Sequence, residues 1–529
     1  MEKHIRLLDC TLRDGGHLNQ GVFGERTIKN VIRDLVEAKT DIIEVGFLWD
    51  QEYSIDTARY YTIQDVKRIL PENRGDSKFS LMADFIDLQH LEPCDGTIEY
   101  IRLSFKRHRL DWGLTTGKLL MEKGYKVFIN LVNNNVYTDE QYLAAIRKIN
   151  ELHPYGFAIV DTFGTMRLSE LSHRYYLVES NLLPDITIGL HLHENLGLAY
   201  SLAQHITQIA NPKRKIVIDG SLLGMGRVPG NLCIDQMMDY MNSQYGTDYD
   251  LEPVYDAIDD YIAPLKKKIS WGYDIPYALS AKYNLHRTYA EFLLNKWKLR
   301  TSDIERILAN VSQSESEYFN EKYIESLYRN YMSVEVDDSN SVKMLKKEFV
   351  NRNLLLIAPG MSIVNQKESI ETYIKEYKPI VIGIHCIPDF LELDYVFFSN
   401  IKRFDALYEE SDTKVIVASN LMQYNRIPSD ALITNYSTLA YHEEEFSDDS
   451  VLMFLNLLKI LGIERLSVAG FDGFGNKEND FYISSLCRNV SDISFSDKVK
   501  LLLRNHYSKL KINFITDSFY KDYNNLSES

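Results

Sequence analysis

The sequence predicts an α/β fold: a TIM (β/α)8 barrel, a helical extension and a C-terminal Rossmann-like α/β domain. Three observations carry this reading. Eight short apolar runs alternate with amphipathic segments through the first part of the chain, polar residues gather just after those runs, and a second β/α alternation begins near residue 353. Continuous apolar strands separated by helices imply a parallel sheet covered on both faces. Eight such strands within about 220 residues match the size of a closed barrel. An open doubly wound sheet with the same number of strands is the alternative.

The eight runs are IRLLDC (5–10), DIIEVGF (41–47), FSLMADF (79–85), YIRLSF (100–105), KVFINLV (126–132), FAIVDTF (157–163), TIGLHLH (187–193) and KIVIDGS (215–221). Between them, ERTIKNVIRDLVEA (25–38), DEQYLAAIRKINEL (139–152) and NLGLAYSLAQHITQIA (195–210) place apolar residues three and four apart, the helical spacing. These elements define a barrel domain over 1–250. Residues 251–335 lack strand alternation and read as a helical extension, and the polar stretch within 336–350 reads as a linker. The last domain, 351–529, opens with NLLLIAPG (353–360). It continues through PIVIGIHC (379–386), YVFFSN (395–400), KVIVAS (414–419), ALITNY (431–436) and RLSVAG (465–470).

Length and composition bound the functions. A chain of 529 residues suggests two to four domains at roughly 150 residues each. The 45% apolar and 25% charged content is ordinary globular composition. A net charge of −16 argues against nucleic acid as a partner, since phosphate binding needs a basic face. No run reaches the 18 or so apolar residues that a membrane span needs, and no secretory h-region is visible. Five scattered cysteines without a CxxC pair indicate neither a disulfide framework nor a zinc knuckle. The expectation is a soluble, cytoplasmic protein without a membrane partner, for which a homo-oligomer is compatible with the sequence.

The chemistry concentrates at strand ends. In His191-Leu192-His193, strand alternation points both imidazoles the same way, which suits a borderline metal ion. Hydrogen bonding within a barrel mouth would explain the same pair. The first strand ends in Asp9-Cys10-Thr11-Leu12-Arg13-Asp14-Gly15-Gly16-His17, which packs a carboxylate, a guanidinium and an imidazole into five residues. Asp14 with His191 and His193 would give a carboxylate and two imidazoles, leaving coordination positions for substrate and water as in catalytic metal sites. The bland alternative is an Arg13–Asp14 surface pair with His17 in a loop.

The segments DCTLRDGGH, IIEVGF, VDTFG, HLHEN and GMGRVPGN, in that order over residues 4–240, resemble the landmarks of the DRE-TIM metallolyase superfamily, also called HMGL-like. The resemblance implies a TIM barrel with one divalent ion, Mn²⁺ or Mg²⁺, at its mouth. It makes Asp14, His191 and His193 metal ligands, Asn231 a fourth, Arg13 the group facing an enolate oxygen and Glu44 that arginine's partner. Claisen-type synthases of this group follow Leu-Arg-Asp-Gly with Glu-Gln, whereas this chain has Gly16-His17. That histidine resembles the general base of the 4-hydroxy-2-oxovalerate aldolases. Arg227 and Val228 stand where the acyl-CoA lyases carry Cys-Pro, which counts against that branch. For the aldolase-type tyrosine proton donor the candidate is Tyr277, with Tyr273 in reserve, although both serve equally well as helix-packing residues. Thr162 would bind the carboxylate of a 2-oxo acid, or simply cap its strand.

The second domain carries weaker signals. Gly360 lies between a strand and a helical pattern, where a phosphate or nucleotide can be received, but the three-glycine fingerprint is absent. IAPGMSI, DYVFFSNIKRFD and LGIERLSVAGFDGFG faintly resemble a Rossmann-like group containing the 6-hydroxymethylpterin diphosphokinase-like proteins, with Asn400, Arg403 and Asp472 near its sheet edge. EEEFSDDS (443–450) reads as a solvated linker. The resulting expectation is a metal-dependent class II pyruvate aldolase, a carbon–carbon lyase acting on a small 2-oxo acid. The alternatives are a Claisen-type acyl-CoA synthase and a barrel that serves as a binding scaffold for the C-terminal domain.

Overall fold

The computed structural model describes residues 4–133, 136–296, 298–409, 412–441, 449–473 and 493–523. The chain divides into two compact units: Met1–Glu291 with Val311–Phe319, and Phe292–Asn310 with Asn320–Ser529.

The first unit is the barrel. Its strands are β1 (Ile5–Asp9), β2 (Ile42–Leu48), β3 (Lys78–Ala83), β4 (Tyr100–Phe105), β5 (Lys126–Leu131), β6 (Gly156–Asp161), β7 (Thr187–Leu192) and β8 (Ile216–Gly220). All pair in parallel, and β1 closes the ring by pairing with β8 from Ile5↔Ile216 to Asp9↔Gly220 and with β2 at Leu8↔Ile42. At most one residue of each strand escapes burial, which is why these segments read as unbroken apolar runs. The helices between them bury one stripe each. In Glu25–Glu37 the stripe is Ile28, Val31, Ile32 and Leu35, spaced three and four apart. Asp139–Leu152 starts at a capping box in which Thr138 and Gln141 satisfy each other's N–H groups.

One irregularity shapes the mouth. The register between β2 and β3 shifts between Glu44 and Phe47, and the short strand Arg59–Tyr60 adds to the far side of β2. Gly46 lies in this bulge at φ 152°, where a Cβ would come within 2.1 Å of the Ala58 carbonyl oxygen. Only glycine permits that approach.

The region after the barrel departs from the expected boundaries. Helices do fill much of it, among them Ile275–Lys282, Thr301–Leu308 and Glu321–Met332. It is not one extension, because the two units divide within it. The stretch 336–350, expected as a linker, contains the helix Ser339–Phe349. Three of its four apolar residues, Val342, Leu345 and Phe349, share one face, Leu345 and Phe349 are fully buried, and Met344 is exposed. Val336 and Asn435 exchange hydrogen bonds and Asp338 accepts from the Asn435 N–H at 2.9 Å, so the segment is built into the second unit.

The second unit holds an all-parallel sheet of β9 (Leu354–Ile357), β10 (Ile380–Ile384), β11 (Tyr395–Phe398), β12 (Lys414–Ala418), β13 (Leu432–Thr434), β14 (Arg465–Ala469) and β15 (Lys511–Phe514). The spatial order is β13-β12-β11-β10-β9-β14-β15, so the winding reverses between β9 and β14, as in doubly wound sheets. Strand β15 has no counterpart in the sequence reading. It is an edge strand with alternating exposure, and KINF offers no apolar run.

No described helix is long and apolar enough to cross a membrane. The cysteine Cys487 and the acidic residues 443–448 lie outside the described residues.

Candidate active site at the barrel mouth

The residues after β1 and those at the end of β7 converge on one cavity of about 580 Å³. Adjacent closure of β1, β7 and β8 explains why groups so distant in sequence meet. One ligand atom each from Asp14, His191 and His193 lie within 4.8 Å of one another. The imidazole planes of the two histidines are nearly perpendicular, with centroids 4.8 Å apart.

Each imidazole is oriented by its far nitrogen. His191 Nδ1 pairs with Asp219 Oδ2 at 2.9 Å, and His193 Nδ1 donates to the Asp161 carbonyl at 2.8 Å. Both Nε2 atoms are thereby left for the cavity, and His191 Nε2 stands 3.5 Å from Asp14 Oδ2. Such a partner on the second nitrogen fixes the tautomer of a metal-binding histidine. Asp161 is held in turn by the N–H groups of Thr165 and Met166, which accounts for the ordered loop after β6.

A buried charge network lies beneath. Arg13 Nε donates to Glu44 Oε2 at 2.6 Å, and a second nitrogen of Arg13 pairs with Asp14. Arg102, 2% exposed, bridges Glu44 at 3.3 Å and Asp219. The sequence reading missed Arg102 and Asp219. The signal was present, since a charge in the middle of an otherwise apolar strand must find a partner inside.

Electrostatics follow from this packing. Burial alone would raise the Asp14 carboxyl, but Arg13, His191 and His17 outweigh it and hold it well below the usual range. Burial raises Asp219 too, and Arg102 and His191 bring it below the ordinary value. His191 is raised because its bonds to Asp14 and Asp219 overcome burial. Burial and the neighbouring His191 push His193 down to about 4.

The donor set fits a divalent ion. Asn231 Oδ1 is buried without a hydrogen-bond partner, although its amide nitrogen donates to the Met225 carbonyl at 3.1 Å. Gly226 forms the adjoining wall, and a Cβ there would sit 2.3 Å from Asn231 Nδ2 and 3.0 Å from Asp14 Oδ1. A carboxylate, two imidazoles and an amide oxygen suit a Lewis-acidic ion with open positions.

Three further expected residues line the cavity or support it. Glu44 is fully buried below Arg13. Thr162 lines the cavity, and its hydroxyl accepts the Asn133 N–H at 2.7 Å. His17 lines the cavity, with its ring edge-on to Phe47. Desolvation by the surrounding mouth, helped by Arg13, Arg227 and Arg287 and opposed by Asp14, pushes it down to about 4.

Tyr277 is a correction. It does not line the cavity; it is buried against Glu291, and burial with that carboxylate pushes its phenol up to about 12. Spacing along a short helix did not reveal which face turns inward. Tyr273 is 60% exposed and packs beside Gly197, also away from the cavity. His286 and Tyr318 line the mouth in their stead.

Gly360 is a second correction. Asp472 accepts the Ser362 N–H at 2.8 Å and the Ser362 hydroxyl, and its carboxylate lies where a Cβ on Gly360 would fall. A carboxylate already occupies the position expected to receive phosphate, so the glycine serves close packing. Asn400 caps the helix Ile401–Leu407 through the Lys402 N–H, and Arg403 donates to the His385 carbonyl at 3.3 Å. These are structural tasks at the ends of β10 and β11.

Known proteins similar to this chain match it chiefly over the barrel half. Residues 123–260 match a family model described as HMGL-like. A 4-hydroxy-2-oxovalerate aldolase of Geobacillus genomosp. 3 is 26% identical over 271 residues, spanning 49% of this chain and 77% of the relative. The 4-hydroxy-2-oxovalerate aldolase 2 of Rhodococcus jostii (strain RHA1) is 24% identical, over 51% of this chain and 78% of that protein. A solved N-terminal domain of a Bacteroides vulgatus protein aligns with a TM-score of 0.47 and 23% identity, covering 55% of this chain and 96% of that one. The barrel half is thus similar to the HMGL-like, or DRE-TIM metallolyase, proteins. The curated relatives it resembles include several named 4-hydroxy-2-oxovalerate aldolase.

Proposed function

We propose that the barrel is a metal-dependent class II pyruvate aldolase, which makes or breaks the C3–C4 bond of a 4-hydroxy-2-oxo acid. The observation that carries this reading is the convergence of Asp14, His191 and His193 beside Arg13, with His17 on the same cavity. The aldolase-named relatives support it.

Asp14, His191, His193 and Asn231 would hold the ion. A divalent cation there, Mn²⁺ or Mg²⁺, supplies Lewis acidity toward the carboxylate and keto oxygens of a 2-oxo acid. Arg13 keeps Nη2 buried without a partner and so has a donor to offer where negative charge develops on the keto oxygen. Glu44 and Asp14 prevent that guanidinium from swinging away. Thr162, which lines the cavity, would orient the carboxylate end. His17, neutral at pH 7, accepts the 4-hydroxyl proton in cleavage. The C3–C4 electron pair then passes to the pyruvate half, C4 leaves as the aldehyde, and C3 takes a proton from solvent while His17 gives its proton back to solvent, which completes pyruvate and restores the base. In addition the same steps run backward.

The test is proton exchange at the pyruvate methyl group in deuterated water, followed by NMR, together with pyruvate release from short 4-hydroxy-2-oxo acids. Both should require added Mg²⁺ or Mn²⁺ after chelation. Absence of both in the metal-loaded chain would remove the aldolase reading.

A further inference from the structure

The half of the cavity that a pyruvate would leave open is lined by cations. Lys106 and Arg109 enter from the segment after β4, and Arg227 from the glycine loop after β8. Beyond Asp14, which is committed to Arg13 and the histidines, the cavity has one carboxylate among the described residues of its lining, Asp84.

The cations are held in place without being neutralised by that lining. The Lys106 ammonium rests 3.9 Å from the Tyr318 ring centroid, and the Arg109 guanidinium 3.6 Å from that of Phe85. An aromatic face orients a cation but leaves its full charge to act on something else. Arg227 is exposed, and its backbone N–H goes to Asp14 Oδ1 at 3.2 Å. The groups feel one another: burial, followed by Arg227, Arg287 and Lys106, drives His286 down to about 4. Lys106 is lowered by burial and by Arg227, with Glu317 acting in the opposite sense.

Size points the same way. A cavity of about 580 Å³ falls within the roughly 300–1,000 Å³ of sites for drug-sized ligands, well beyond a three-carbon acid and a two-carbon aldehyde. We propose that the aldehyde half of the substrate is an extended molecule whose distal end carries an anionic group, a phosphate in preference to a carboxylate, received by Lys106, Arg109 and Arg227. This rests on the aldolase reading and adds the chemical class of the second half of the substrate. Three cations lining one cavity match a dianion better than a monoanion, and a small neutral aldehyde would leave their mutual repulsion unrelieved.

The experiment uses the full chain loaded with Mg²⁺, pyruvate as donor, and three acceptors: acetaldehyde, succinic semialdehyde and glyceraldehyde 3-phosphate. The readout is the ratio of kcat/KM for each anionic aldehyde over acetaldehyde. The expected ratio for the phosphorylated acceptor is tenfold or more, exceeding that for the carboxylate, and it should shrink at high salt. Lys106→Gln and Arg227→Gln should each pull the ratio toward one, and Arg109→Lys should lower it less than Arg109→Gln. Pyruvate methyl exchange with a ratio near one would overturn this inference and spare the aldolase reading. Calorimetric titration with glycerol 3-phosphate needs no turnover. Binding weakened in Lys106→Gln/Arg227→Gln supports the anion-receiving wall even if exchange fails, and equal binding by wild type and variant overturns it.

Discussion

Replacing Asp219 with asparagine tests whether the buried charges beneath the mouth position the metal ligands. Asp219 Oδ2 takes His191 Nδ1 at 2.9 Å and also meets Arg102, and both carboxylate and guanidinium are at most 2% exposed. The amide keeps the shape but offers one acceptor oxygen and no charge. Arg102 then relies on Glu44 at 3.3 Å, and the His191 tautomer is no longer fixed. Removing one partner of a buried ion pair costs about 3–5 kcal/mol, and the amide recovers part of this, so the apo chain should lose about 3 kcal/mol in urea unfolding. Loss of a histidine's orienting partner weakens metal affinity by about 10–100-fold, or about 1.4–2.7 kcal/mol, read by calorimetric titration with Mn²⁺. A variant that loses stability yet binds Mn²⁺ with unchanged affinity would refute the orienting role.

Two other perturbations probe separate parts of the molecule. Gly226→Ala should lower Mn²⁺ affinity by about tenfold or more, because its Cβ displaces Asn231 from a distance of 2.3 Å; an alanine variant with wild-type affinity would exclude Asn231 as a ligand. His385, buried beyond β10, accepts the Ser399 N–H at 2.8 Å through Nε2, and burial with Arg403 and Lys298 holds it far below its ordinary value. The unfolded chain takes up that proton below about pH 6.5 and the folded one does not, so stability is full above that pH. It falls by about 1.4 kcal/mol per pH unit as the medium is acidified. His385→Gln should flatten the slope by one proton between pH 6 and 5 in denaturant titrations, and an unaltered slope would reject the assignment.

The barrel was legible because both faces of its strands are buried, so each strand announces itself as an apolar run with ends good to a residue or two. Edge strand β15 buries too little to do the same. The helix Ser339–Phe349 hid behind a polar composition, since three apolar residues on one face suffice to seat it. At the site, residue type and strand period marked Asp14, His191 and His193 as candidates while leaving plain hydrogen bonding open, and the fold brings their ligand atoms together. Tyr277 failed because the inward face of a helix is decided by packing. Gly360 failed because a glycine needed for close approach of Asp472 looks, in sequence, like one that makes room for a ligand.

The position of the ligand groups on the barrel seam has a consequence for assembly. Asp14 follows the first strand, whereas His191, His193 and Asn231 belong to the seventh strand and the loop after the eighth. During synthesis the first group must wait until nearly the whole barrel has emerged before its companions exist. An ion bound by all of them acts as a clasp across the junction of β1 with β8, recognising only the closed ring. Such a clasp stabilises the closed form by about 2.7 kcal/mol at a hundredfold excess over its dissociation constant. An ion that equipped the mouth for the proposed chemistry would therefore also certify that the ring has shut.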